Sequence, residues 1–182
     1  MNHLDNTDAD VRREALTGLV RLEPVGRFSV FSPRLKDPDL RIRKIAAGGL
    51  GKSGDPRAFA LLTALVDASE KSDWNDERAL GIACIEALGA LMMSCPALHD
   101  RIGAWFASQV CDQCARSSWM KILPVSSAPS AARATTLTET VGKLPDEVSR
   151  SLLARLAQHQ TPAVAHRAGE LLGRMSAPAS AT

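Results

Sequence analysis

The 182-residue sequence predicts an all-α chain, a right-handed α-solenoid of about five antiparallel helix pairs with the first reduced to a half-repeat. Three observations carry that expectation. A short frame recurs along the chain, its apolar positions fall at helical spacing, and the segments between the copies open on proline.

The frame is clearest in Asp8-Ala-Asp-Val-Arg-Arg-Glu-Ala-Leu-Thr-Gly-Leu19, which returns 31 residues later as Asp39-Leu-Arg-Ile-Arg-Lys-Ile-Ala-Ala-Gly-Gly-Leu50. Weaker copies end at Leu88, Val141 and Leu172, so the steps are 31, 38, 53 and 31 residues. Down the columns stand Val11, Ile42, Leu80, Arg133 and Val164, then Ala15, Ala46, Cys84, Leu137 and Ala168, then Leu19, Leu50, Leu88, Val141 and Leu172. Apolar residues at i, i+4 and i+8 make one face of an amphipathic helix, and small ones in the middle row admit a close neighbour. Arg133 makes the fourth copy the weakest.

The starts agree with the faces. Asp8, Asp39, Ser130 and Thr161 are good N-caps, and Pro162 suits a first helical position. Asp73 to Asp76 offers the third copy a cap one turn ahead of Glu77. Partner helices are expected over Pro24–Leu35, Pro56–Ser69, Pro96 to about Ala115 and Pro145–Gln158. One domain should span residues 1–175, with insertions of 7 and 22 residues near 69–75 and 117–130 and a disordered tail over 176–182. No segment alternates with period two, so no strand is expected.

Composition narrows the function classes. Hydrophobic residues make up 45% and charged residues 23%, a globular balance. A net charge of +2 is too small for a general nucleic-acid or membrane-surface binder. No run approaches the length of a transmembrane span, and the acidic first ten residues are unlike a signal peptide. Four cysteines do not form a disulfide scaffold in a chain this long, so a cytoplasmic location with reduced thiols is the expectation.

The Asp-x-x-Val-Arg-x-x-Ala-x-x-x-Leu frame resembles the HEAT repeat, in the short variety named after phycobilisome lyases (the PBS-lyase type). It is carried by Asp8, Val11, Arg12, Ala15 and Leu19, by Asp39, Ile42, Arg43, Ala46 and Leu50-Gly51, and by Leu88-Gly89 and Leu172-Gly173. The resemblance implies that Asp8, Arg12, Asp39 and Arg43 act as structural ladder residues between neighbouring repeats. The arginine column continues as Gly81, Ala134 and Ala165, which confines any ladder to the N-terminal end.

No residue set calls for catalysis, metal or cofactor. Cys95, His99, Cys111 and Cys114 have the spacing of a zinc site only on paper. On one helix, His99 and Cys111 stand roughly 18 Å apart along the axis, far beyond a shared ion. These cysteines read as structural thiols, and a redox role for Cys111 and Cys114 lacks the usual preceding strand. The histidines, His3, His99, His159 and His166, form no metal motif. Asp76-Glu77 and Asp146-Glu147 sit at helix starts, where the macrodipole favours them. The run Gly48 to Gly54 lacks the strand-to-helix setting of a phosphate loop.

A non-enzymatic protein-interaction module is therefore expected: an adaptor, regulator or assembly chaperone. Opposite the packed face lie two columns, Arg13, Lys44, Ile82, Thr135, His166 and Thr17, Gly48, Glu86, Glu139, Glu170. In HEAT arrays this side usually lines the concave groove, which here would be basic at its start and acidic toward its end. Arg13, Thr17, Lys44, Ile82, Glu86, Glu139, His166 and Glu170 are the candidate protein-binding residues, with Trp74 and Trp119 near the insertions as candidate hot spots. Trp105, with Ile102 and Phe106, reads as core. The expected partner is a protein or peptide rather than a small molecule, nucleic acid or membrane, and the half-repeat offers a face for homodimerisation. Two other readings follow from the resemblance: a chromophore lyase or chaperone subunit of the phycobilin-lyase type, and a HEAT-type nucleic-acid binder, which the three glutamates disfavour.

Overall fold

An aspartate opens three of the first four helices. The carboxylates of Asp8, Asp39 and Asp55 accept the backbone N–H groups of Asp10, Arg41 and Arg57 at 2.8, 2.7 and 2.9 Å. Each cap satisfies a donor that the first helical turn leaves unpaired. In the computed structural model, which describes residues 3–22, 24–70, 75–119, 128–158 and 162–176, these caps begin an all-helical succession. The helices are α1 (Ala9–Leu22), α2 (Phe28–Arg34), α3 (Leu40–Lys52), α4 (Arg57–Glu70), α5 (Asn75–Ser94), α6 (His99–Trp119), α7 (Ala128–Val141), α8 (Asp146–Leu156) and α9 (Pro162–Ser176). Among the described residues there is no strand, and no single helix is long and apolar enough to cross a membrane.

Two compact units emerge, one through His99 and one from Asp100. In the first, α1, α3 and α5 pack side by side as one layer, while α2 packs on α3 and α4 on α5 as a second. In α3 and α5 the apolar columns read from the sequence supply the contact between layers, whereas in α1 the column residues Val11, Ala15 and Leu19 are half-buried and Leu16 is the buried residue. Leu16, Ile42, Ala46, Leu50, Cys84 and Leu88 are fully buried, together with Phe31 of α2 and Leu62 and Val66 of α4. Each large aliphatic side chain so removed from water contributes about 1.5–3 kcal/mol. In the second unit α8 and α9 pack together and α7 lies against both. Its core holds Leu137, Val141, Leu153, Leu156 and Ala168, with Ile102 and Phe106 of α6 also buried.

Some boundaries differ from expectation. The proline at 24 opens a turn and not a helix: Arg27 N–H bonds to Pro24 C=O, Gly26 adopts φ 72°, and its N–H bonds to Ser53 C=O at 3.1 Å. That left-handed residue stops α2 from starting before Phe28. Pro96 likewise begins a short 3-10 turn, Pro96–Leu98, ahead of α6. A 3-10 turn at His3–Asp5 precedes α1, and Asp5 accepts from Arg34 of α2 at 2.6 Å. Trp105 is half-buried, its ring edge-on to Phe106 with centroids 5.2 Å apart, so it borders the core that Ile102 and Phe106 fill. Arg133, the polar intruder in an apolar column, is half-buried and donates to the side-chain oxygen of Gln109 on α6. Residues 177–182, expected as a tail, lie outside the described residues, as do 71–74 and 120–127 of the insertions.

Helices α3 and α5 approach each other backbone to backbone at Gly51. A Cβ at Gly51 would collide with the backbone carbonyl of Ala87, whereas a Cβ at Gly48 would have no atom within 4 Å. Ser94 Oγ donates to Gly51 C=O at 2.8 Å across the same contact. Gly51→Ala should therefore destabilise the protein by about 1–3 kcal/mol by forcing the helices apart. Gly48→Ala, by removing a helix-interior glycine into open space, should be neutral or stabilise by up to about 1 kcal/mol. Urea unfolding followed by circular dichroism compares the two.

Candidate functional site

The ladder that holds the first unit's inner helices is built from one guanidinium. Arg12 on α1 makes paired bonds to Asp37, Nε and Nη2 each 3.0 Å from a carboxylate oxygen. Its Nη1 donates to the carbonyls of Asn6 and Thr7 at 2.8 and 3.0 Å. Arg43, 31 residues on, repeats the second half of this pattern, with Nη1 donating to the carbonyls of Asp37 and Pro38 at 2.8 and 3.0 Å. The preceding loops match as well: Asn6 accepts from Asp8 N–H and Asp37 from Asp39 N–H, both at 2.9 Å. The carboxylate facing Arg43 is Asp76, exposed and 3.8 Å away, so the strong rung is Arg12–Asp37.

Of the four residues named as ladder candidates, Arg12 and Arg43 reach the loops before α1 and α3, Asp8 and Asp39 cap helices, and the carboxylate that accepts from Arg12 is Asp37. The signal was present, since Asn6-Thr-Asp8 and Asp37-Pro-Asp39 share the 31-residue offset. Burial pushes the Asp37 carboxyl up, but hydrogen bonds from Arg12 and the Asp39 N–H outweigh it, leaving Asp37 below the ordinary carboxylate range. Asp39 is drawn down to about 2 by the side chain of Arg41 and then by its backbone N–H.

The solvent faces of the inner helices carry the candidate binding residues. On α1, Arg13 is partly exposed and pairs with Asp10 at 2.7 Å, while half-buried Thr17 donates to the Arg13 carbonyl at 2.8 Å. On α3, Lys44 is exposed beside half-buried Gly48, and on α5 Glu86 is exposed beside half-buried Ile82. These five candidates thus share one layer of the first unit, turned away from its core. Trp74 lies outside the described residues, and the side chains of Trp119, Cys111 and Cys114 are outside the described part of α6.

In the second unit the acidic column is drawn onto one guanidinium. Arg167 on α9 donates to Glu139 on α7 at 2.5 Å and to Glu170 at 2.9 Å. His166 Nδ1 stands 3.9 Å from Glu170. Bonds from Arg167 lower both carboxylates below their usual range. The expected acidic stretch at Glu139 and Glu170 is therefore a carboxylate–guanidinium–carboxylate bridge that joins two helices. Arg167 escaped the column analysis because it lies one position beyond His166, although its i,i+3 spacing to Glu170 is legible.

Nothing among the described residues gathers three or more potential metal ligands. Cys84 is fully buried and its thiol is pushed up to about 12 by that burial. It is a core side chain, as its place in the small-residue column implies.

Helices paired in two layers, with a recurrent Asx-x-Asp loop and an inward arginine, define an α-solenoid of helical repeats. Residues 1–83 match the family model for HEAT repeats. HEAT repeats generally serve as protein–protein interaction scaffolds. No curated protein matches the chain.

Two outcomes follow. Because Asp37 is depressed in the folded state, it contributes stability above about pH 4 that is lost as pH falls through its lowered value. Asp37→Asn should be less stable at pH 7 and should lose less on acidification to pH 3, as followed by urea unfolding at both pH values. Cys84 should stay unlabelled by a thiol reagent in the native protein at pH 8 and react on unfolding, as read by peptide mapping.

Proposed function

We propose that this chain is a non-catalytic protein-interaction module that holds a protein or peptide partner against the solvent faces of its inner helices. One observation carries the reading. The inner helices α1, α3 and α5 spend one side on the core, yet their other side presents Arg13, Thr17, Lys44, Ile82 and Glu86 on a layer held rigid by packing and the Arg12–Asp37 rung. A preorganised surface loses little conformational entropy when a partner docks, which favours binding.

The separation of roles decides which variants are informative. Reversing Glu139 or Glu170 breaks the Arg167 bridge and so mixes stability with binding. Lys44 and Glu86 are exposed, so their reversal alters the surface without removing core contacts. Immobilised protein carrying Lys44→Glu with Glu86→Lys should retain at least tenfold less of the partner captured from native lysate by the wild type, at unchanged helix content. Retention of the same partner at undiminished yield by the double variant would rule out this face. Mass spectrometry of the eluates, with far-ultraviolet circular dichroism of the variant, makes the comparison.

A further inference from the structure

We infer that the occupant of the first unit's α1–α3 face is an acidic, extended peptide segment, a reading that rests on the interaction-module function above. The register fixes the arrangement. Positions 13, 17 and 21 of α1 correspond to 44, 48 and 52 of α3 at the 31-residue offset, and these adjacent helices pack side by side. Arg21, Lys44 and Lys52 are all exposed, and among the described residues none of the three has an ion-pair partner. The other cations of this face are already engaged, Arg13 by Asp10 and Arg41 by Asp39. Between Lys44 and Lys52 lies Gly48, with no atom within 4 Å of where a Cβ would stand, so the floor between the charges is open to an approaching backbone.

The dimensions suit a peptide. Lys44 and Lys52 are eight residues apart, roughly 12 Å along the helix axis. Neighbouring helix axes lie about 8–10 Å apart. An extended chain rises about 3.3 Å per residue, so carboxylates three or four residues apart span either distance. The charge pattern also excludes a uniformly anionic backbone. On α5, next to α3, the exposed charged residues are Asp76, Glu77 and Glu86, all acidic, which would repel a continuing run of phosphates. A peptide whose acidic stretch ends after crossing α3, with an apolar residue to follow over half-buried Ile82, meets no such repulsion.

The test uses the full chain and a fluorescein-labelled peptide of alternating Glu and Gly-Ser, with the Lys counterpart peptide and a short DNA duplex as comparators. Fluorescence anisotropy at low ionic strength should show saturable binding of the Glu peptide, weakened at least tenfold by added salt. The variant Arg21→Glu/Lys44→Glu/Lys52→Glu should lose at least tenfold in affinity at unchanged circular dichroism, and Glu86→Lys should change it less than threefold or strengthen it. Binding of the Glu peptide that survives the triple reversal, absence of binding, or preference for the Lys peptide or the duplex overturns the inference. If the peptide fails while lysate capture is still lost in Lys44→Glu/Glu86→Lys, the interaction-module reading stands and only the acidic occupant is wrong. Failure of both experiments removes both.

Discussion

The contact between α1 and α3 is organised around the Arg12 guanidinium. Its planar fork is filled on two edges, by the Asp37 carboxylate and by two carbonyls of the loop before α1. One side chain therefore ties together the entry to its own helix and the entry to the next, which sets the relative height of the two helices. Height matters because the small-residue contacts tolerate no slippage. Gly49 admits the ring of Phe31, and Gly51 lies where any Cβ would strike α5. Lysine could not take this role, since a point charge lacks the flat, divergent donors that the site uses.

The same economy explains where the ladder stops. Arg43 keeps the loop carbonyls but faces only an exposed and distant Asp76. The next position in the column is Gly81, pressed against Ser69 of α4, where a long cationic side chain has no room. At α5 apolar packing replaces the ionic rung: α5 buries ten residues, against one for α1. The first repeat is thus held by polar geometry and the third by its core.

Charge distribution follows from that division of labour. Four carboxylates of the first unit are consumed within it, Asp8, Asp39 and Asp55 as helix caps and Asp37 in the rung. The cations Arg21, Lys44 and Lys52 stand exposed on the solvent faces of α1 and α3, with Glu14 also exposed on α1. In the second unit Arg167 draws two glutamates together, so charges that look like a partner-binding stripe act within the fold.

The sequence alone determined the all-helical class, the 31-residue offset between the first two copies and the buried columns of α3 and α5, because each depends on residues only a few positions apart or on the rotation of a helix. It also placed Lys44 and Glu86 on the side away from the core, by the same rotation. What it did not determine is which charged groups meet. Arg12 and Asp37 are 25 residues apart, and Arg167 and Glu139 are 28 apart. Equivalent positions in a repeat carry no signal for pairs that meet across different offsets. Likewise Pro24 began a turn because Gly26 is drawn toward the Ser53 carbonyl, a contact made only once α1, α2 and α3 have packed. Local periodicity decides the helices; the tertiary structure decides which of their charges are spent inside the fold and which remain for a partner.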